Sequence, residues 1–130
     1  MTVAQQIGNI GERLNLLIRQ GATFGPYRCT MTNPDGSPVD LTGASIVGQI
    51  RKRASDATAV ADLQVTMVDR AAGVYEFGLS DETSAGITAG SDTTRPESLY
   101  VWDMELHDSL GRVIPLYYGD VRVFREVTRV

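Results

Sequence analysis

The chain has 130 residues, enough for one domain with a real core and short for two domains of ordinary size. Apolar residues make up 42% and charged residues 22%, which excludes global disorder. The net charge of −4 argues against nucleic acid as a partner, because phosphate binding needs a basic face.

Cys29 is the single cysteine, so neither a disulfide framework nor a cysteine metal site is available. No basic stretch followed by an apolar one opens the chain, so no signal peptide is expected. No apolar run approaches the ~20 residues needed to span a bilayer. Arginine outnumbers lysine 11 to 1. Guanidinium groups suit protein interfaces, although genomic base composition explains the bias more simply. The basic run Arg51-Lys52-Arg53 reads as a solvated strand tip.

Residues 1–12 are weakly patterned. Ile7 and Ile10 have helical spacing, but Gly8 and Gly11 interrupt it, and a flexible arm preceding a domain over 13–130 is expected. Leu14, Leu16 and Ile18 alternate with Asn15, Leu17 and Arg19, which predicts a first strand. Tyr27, Cys29 and Met31 alternate with Arg28, Thr30 and Thr32, a second, with Cys29 packed as a small buried hydrophobe. Asn33-Pro34-Asp35-Gly36 is the strongest turn in the chain, because proline presets one φ and glycine accepts the positive φ that ends such turns. In the loop that follows, Leu41 is the expected anchor. Ile46, Gly48 and Ile50 mark a third strand, Leu63, Val65 and Met67 a fourth, and Tyr75, Phe77 and Leu79 a fifth.

Ser80 then offers a helix cap, with Asp81 and Glu82 suited to the positive end of a helix dipole. One short helical turn is expected near 81–89, stopped by Gly90. A sixth strand covers about 99–107, with Tyr100, Trp102, Met104 and Leu106 on one side and Val101, Asp103, Glu105 and His107 on the other. Asp108-Ser109-Leu110-Gly111 turns the chain into a seventh strand, 113–125, in which Gly119 reads as a bulge or bend and Pro115 as an edge or bulge position. About seven short strands with regular turns predict an all-β fold, a single immunoglobulin-like antiparallel β-sandwich; a small barrel is the alternative.

Little in the chain carries chemistry. Asp103, Glu105 and His107 share a strand face and have types that suit a transition metal, with Asp108 beside them. The solvent face of a half-buried strand explains them without a metal, and His107 is the only histidine. A serine–histidine device lacks its glycine-flanked elbow, and a Cys29–His107 pair would need a tertiary accident. Asp35, Asp40, Asp56 and Asp62 lie in or near loops but match no calcium-loop spacing. No phosphate-binding glycine loop occurs. No catalytic, cofactor or metal residue is nominated, and no enzyme activity is expected.

Several stretches carry a resemblance. Gln20-Gly21-Ala22-Thr23-Phe24 comes first. The run from Asn33 through Val39-Asp40-Leu41-Thr42-Gly43-Ala44 leads into Ile46-Val47-Gly48-Gln49-Ile50-Arg51. Gly73-Val74-Tyr75-Glu76-Phe77, Trp102-Asp103-Met104-Glu105-Leu106 and Tyr118-Gly119-Asp120-Val121-Arg122-Val123 follow. In this order, over about residues 14–129, they resemble small β-sandwich structural proteins of tailed bacteriophages, nearest to the N-terminal domains of baseplate upper proteins and tail-fibre-associated proteins. The resemblance implies a non-enzymatic virion protein, a tail, baseplate or fibre-attachment adaptor. It would work through protein–protein interfaces, in many symmetric copies, with other virion proteins as partners and with neither membrane nor nucleic acid. Such domains often precede coiled-coil or receptor-binding segments, and the end at Val130 leads us to expect an adaptor. The other readings are a capsid decoration protein and a carbohydrate-binding module, with Trp102 and Tyr117 as the aromatic platform.

Overall fold

The computed structural model describes residues 8–89 and 97–128. Among these residues nine strands and one short helix follow each other: β1 (Glu12–Arg13), β2 (Leu16–Arg19), β3 (Phe24–Thr30), β4 (Ser45–Arg51), β5 (Ala61–Asp62), β6 (Gln64–Asp69), β7 (Val74–Leu79), α1 (Asp81–Ala85), β8 (Glu97–His107) and β9 (Val113–Phe124). They form two sheets. The larger runs β5-β4-β8-β9, with β1 and β2 both added to the far side of β9; the smaller runs β6-β7-β3. In immunoglobulin lettering, β6, β7 and β3 take the places of D, E and B, and β5, β4, β8 and β9 those of C′, C, F and G. The expected all-β sandwich is therefore present.

The two-residue rhythm explains why the sheets stack. Along β8, Tyr100, Trp102, Met104 and Leu106 are buried, and between them Val101, Asp103, Glu105 and His107 face outward. Their inner faces meet Tyr75, Phe77 and Leu79 of β7 and Ile46 and Ile50 of β4 in one core. Stacking two sheets about 10 Å apart shelters that face from water. Leu41, the expected loop anchor, is fully buried. Arg70 clamps its loop by donating to the Leu41 and Ala44 carbonyls at 3.1 and 2.7 Å.

Four departures from the sequence reading have physical causes. The first strand joins the larger sheet parallel to β9, with Leu16 beside Val121 and Ile18 beside Val123, so the sandwich is not wholly antiparallel. The expected fourth strand is two strands: β5 pairs with β4 in the larger sheet, and β6 pairs with β7 in the smaller. Leu63 makes the crossing. Its N–H still donates to Gly48, and its side chain fills the space that a Cβ on Gly48 would take.

The bulge of β9 falls at Leu116, between the Met104–Tyr117 and Glu105–Pro115 pairs, and not at Gly119. Gly119 is in regular register opposite Trp102; its bare Cα admits the Leu14 carbonyl, which a Cβ would strike. The helix ends earlier than expected, at the Gly86 cap, after Ser80 has accepted the Thr83 N–H at 3.1 Å. Gly90 lies outside the described residues, as do residues 1–7 of the expected arm. Residues 8–13 run beside β9: Asn9 donates to the Pro115 carbonyl at 3.3 Å, and Glu12 lies opposite Tyr117.

Candidate functional site

The outer face of the larger sheet carries the titratable cluster picked out in the sequence. Asp103, Glu105 and His107 do share that face, and His107 Nε2 lies 3.2 Å from Glu105 Oε1. Burial, then the neighbouring Glu105, pushes the Asp103 carboxyl up from its ordinary range, and Arg51 pulls it back. Among the described residues no group of three histidine, cysteine, aspartate or glutamate side chains has metal-binding geometry. Asp108 belongs to a turn instead: it accepts the Leu110 and Arg112 N–H groups at 3.0 and 2.8 Å and pairs with the Arg112 guanidinium at 2.7 Å. Asp35 and Asp40 cap the N–H groups of Ser37 and Thr42 in the same manner. Asp56 pairs with Arg53, and Asp62 accepts from Gln49.

Cys29 and His107 do not meet. Cys29 is half-buried on the smaller sheet between the Tyr75 and Tyr117 hydroxyls, and burial raises its thiol pKa. Burial likewise holds the Tyr75 phenol neutral. Trp102 and Tyr117 stack at 6.2 Å, but inside the sandwich: Trp102 is 4% exposed, and its indole N–H donates to the Leu14 carbonyl at 2.7 Å. They make no exposed platform.

These rings belong to a longer row. Phe24 meets Tyr27 at 5.0 Å, Tyr27 meets Phe77 at 6.0 Å, and Phe77 meets Trp102 at 6.0 Å. The row runs from the core to the surface and ends at an open seam between β2 and β3. The seam exists because β2 pairs only with β9, while β3 is the edge of the smaller sheet. In the immunoglobulin constant-type arrangement the first strand flanks B; here no strand of the described residues takes that place beside β3. The gap measures about 330 Å³ and is lined by Leu14, Leu16 and Leu17 from one side and Phe24, Tyr27 and Cys29 from the other. At its rim Leu17 is 64%, Tyr27 51% and Leu14 39% exposed.

The β3 edge is also chemically open. The Met31 N–H donates to Gly73, and Tyr27 and Cys29 pair with Phe77 and Tyr75, so ladder alternation turns the backbone N–H and C=O of Arg28 and Thr30 outward. Sequence reading assigned Tyr27 to a strand but missed the seam, whose two walls come from different sheets. One signal was available: Leu17 is a large apolar residue on the polar side of its own alternation.

A second concavity, about 340 Å³, lies on the outer face of the larger sheet. It is lined by Arg13, Gln49, Arg51, Val101, Asp103, Tyr118 and Asp120, with Trp102 and Gly119 at its floor. Arg13 pairs with Asp120 at 3.0 Å and sits over the Tyr118 ring. Arg51 donates to the Asp56 carbonyl at 3.0 Å and to Gln49 Oε1 at 2.7 Å. No protein-family model matches the chain, and no curated protein matches it.

Proposed function

We propose that this chain is a non-enzymatic structural protein of a bacteriophage virion, an adaptor at the tail, baseplate or fibre attachment that acts through protein–protein contact. The observation that carries the reading is the β2–β3 seam. Large apolar side chains gathered at a surface mark a site of association, and an unpaired edge strand beside them is a ready template for another chain. An extended segment of a neighbouring virion protein would add to β3, exchanging backbone hydrogen bonds with Arg28 and Thr30. Alternate side chains of that segment would enter the gap beside Tyr27 and Leu17. The order of turn and strand motifs along the chain, which resembles that of phage β-sandwich proteins, supports the virion setting.

The test uses particles from the genome that encodes the chain. An antibody label should decorate the tail of wild-type particles. Leu17→Asp and Tyr27→Asp, which place a charge where the partner strand would pack, should leave the domain folded but reduce its incorporation at least tenfold. A label on the head would transfer the reading to capsid decoration. Particles that lack the chain, or variants that incorporate normally, would contradict it.

A further inference from the structure

The cleft on the outer face of the larger sheet has no part in the seam and carries chemistry of its own. It holds two guanidinium groups, Arg13 and Arg51, and two carboxylates, Asp103 and Asp120. Its charges sum to zero. Three of the four are held in place: Arg13 and Asp120 by each other, and Arg51 by Gln49 and the 52–58 loop through the Asp56 carbonyl. Asp103 is the exception. Its neighbours Arg51 and Glu105 act on it through space, and its oxygens accept no hydrogen bond among the described residues. Apolar surface completes the walls, from Val101, Ala54 and the Tyr118 ring.

That inventory disfavours a ligand with net charge. An anion such as phosphate would face Asp103 and Asp120, and a cation would face Arg13 and Arg51. A wholly apolar ligand would strip water from four charges without replacing its hydrogen bonds. A neutral molecule bearing adjacent hydroxyls meets none of these penalties. Each hydroxyl both donates and accepts. A hydroxyl pair can donate to the two Asp103 oxygens while accepting from the fixed Arg51 and Gln49 groups, and the C–H face of a sugar ring can lie on Val101 and Tyr118. A small, partly apolar concavity with a few fixed polar groups is the usual form of a small-molecule site, and its volume is at the small end of the roughly 300–1,000 Å³ range. We propose that this cleft is a carbohydrate subsite that takes a neutral pyranose through vicinal hydroxyls, with Asp103 as the principal acceptor. The assignment stands apart from the adaptor reading: it survives if the seam proves to have no partner, and the reverse also holds.

The Trp102 indole lies on the core side of the sheet, so backbone amide shifts carry the readout. The full chain is titrated with glucose, galactose, mannose, N-acetylglucosamine and rhamnose, each to 100 mM. The expected result is saturable millimolar binding of at least one sugar, seen as amide shifts at Val101–Asp103 and Tyr118–Asp120. Asp103→Ala should weaken that binding about tenfold, as loss of a charged hydrogen-bond partner does, with the melting temperature unchanged. Asp103→Asn, which keeps one acceptor, should restore part of it. Arg51→Ala also frees the 52–58 loop, so the Asp103 pair carries the decision. The proposal is overturned if no sugar saturates, if binding survives Asp103→Ala, or if the amide shifts map to the seam.

Discussion

At the scale of single residues, Gly119 is the position where one missing carbon decides the most. β2 can lie against β9 only if the Leu14 carbonyl approaches the Gly119 Cα, and that carbonyl then receives the Trp102 indole N–H at 2.7 Å. A methyl group there meets backbone, which yields less readily than a side chain. Gly119→Ala is therefore expected to destabilise by about 1–3 kcal/mol or more, the usual cost of overpacking. The same variant should expose Trp102, giving a red-shifted emission that denaturant titration would pair with the lost stability. An unchanged midpoint and an unchanged spectrum would show that β2 does not need this approach.

Asp108 offers a pH signature at the same scale. The Arg112 backbone N–H, first among its partners, holds its carboxyl below the ordinary range in the fold. Its folded pKa is therefore lower than its unfolded one, so the stability it supplies is present above the unfolded value, near 3.9, and is lost as pH falls through the lower folded value. Asp108→Ala should melt below wild type at neutral pH, and the gap should narrow progressively as pH drops below 4. A gap independent of pH would assign the effect to the turn backbone alone.

At the scale of elements, α1 shows how a helix of five residues persists. Five residues cannot sustain a helix by propensity. Ser84, fully buried, donates from Oγ to the Ala22 carbonyl at 2.7 Å and so ties the helix to the turn between β2 and β3. Gln20 adds a hydrogen bond to the Ile87 carbonyl at 2.9 Å. Ser84→Ala removes this hydrogen bond, at a cost of about 0.5–1.5 kcal/mol. Hydrogen exchange should quicken first in 80–87 and in the 20–23 turn. Exchange that quickens evenly across the sandwich would mean the helix is not a separate cooperative unit.

Alternation made these elements legible in the sequence because burial acts on each strand through its own side chains. Ser80 announced the helix start for an equally local reason. Partnership was not legible. Nothing in Leu16, Leu17 and Ile18 states that they lie parallel to Val121, Arg122 and Val123. The phase continues unbroken through Leu63, so the passage from one sheet to the other left no mark in the pattern. The seam and the cleft share that difficulty, since each gathers side chains from strands far apart in the chain. Leu17, out of phase with its own strand, was the one local trace.

Across the whole molecule, a closed core meets an open side. The five-residue-wide aromatic row from Phe24 and Tyr27 through Phe77 to Trp102 and Tyr117 links the two: its inner end fills the core and its outer end borders the seam. With the first strand on β9, β3 has no second neighbour among the described residues, and both the exposed Tyr27 ring and the unpaired backbone follow from that single topological choice. In the assembled particle a partner's extended segment is expected to complete the smaller sheet. Electron cryomicroscopy of particles from the encoding genome tests it most directly. The expected density is a sandwich at the tail with a foreign strand hydrogen-bonded to Arg28 and Thr30 and its side chains between Leu17 and Tyr27. A bound sandwich whose β2–β3 seam faces solvent would contradict it.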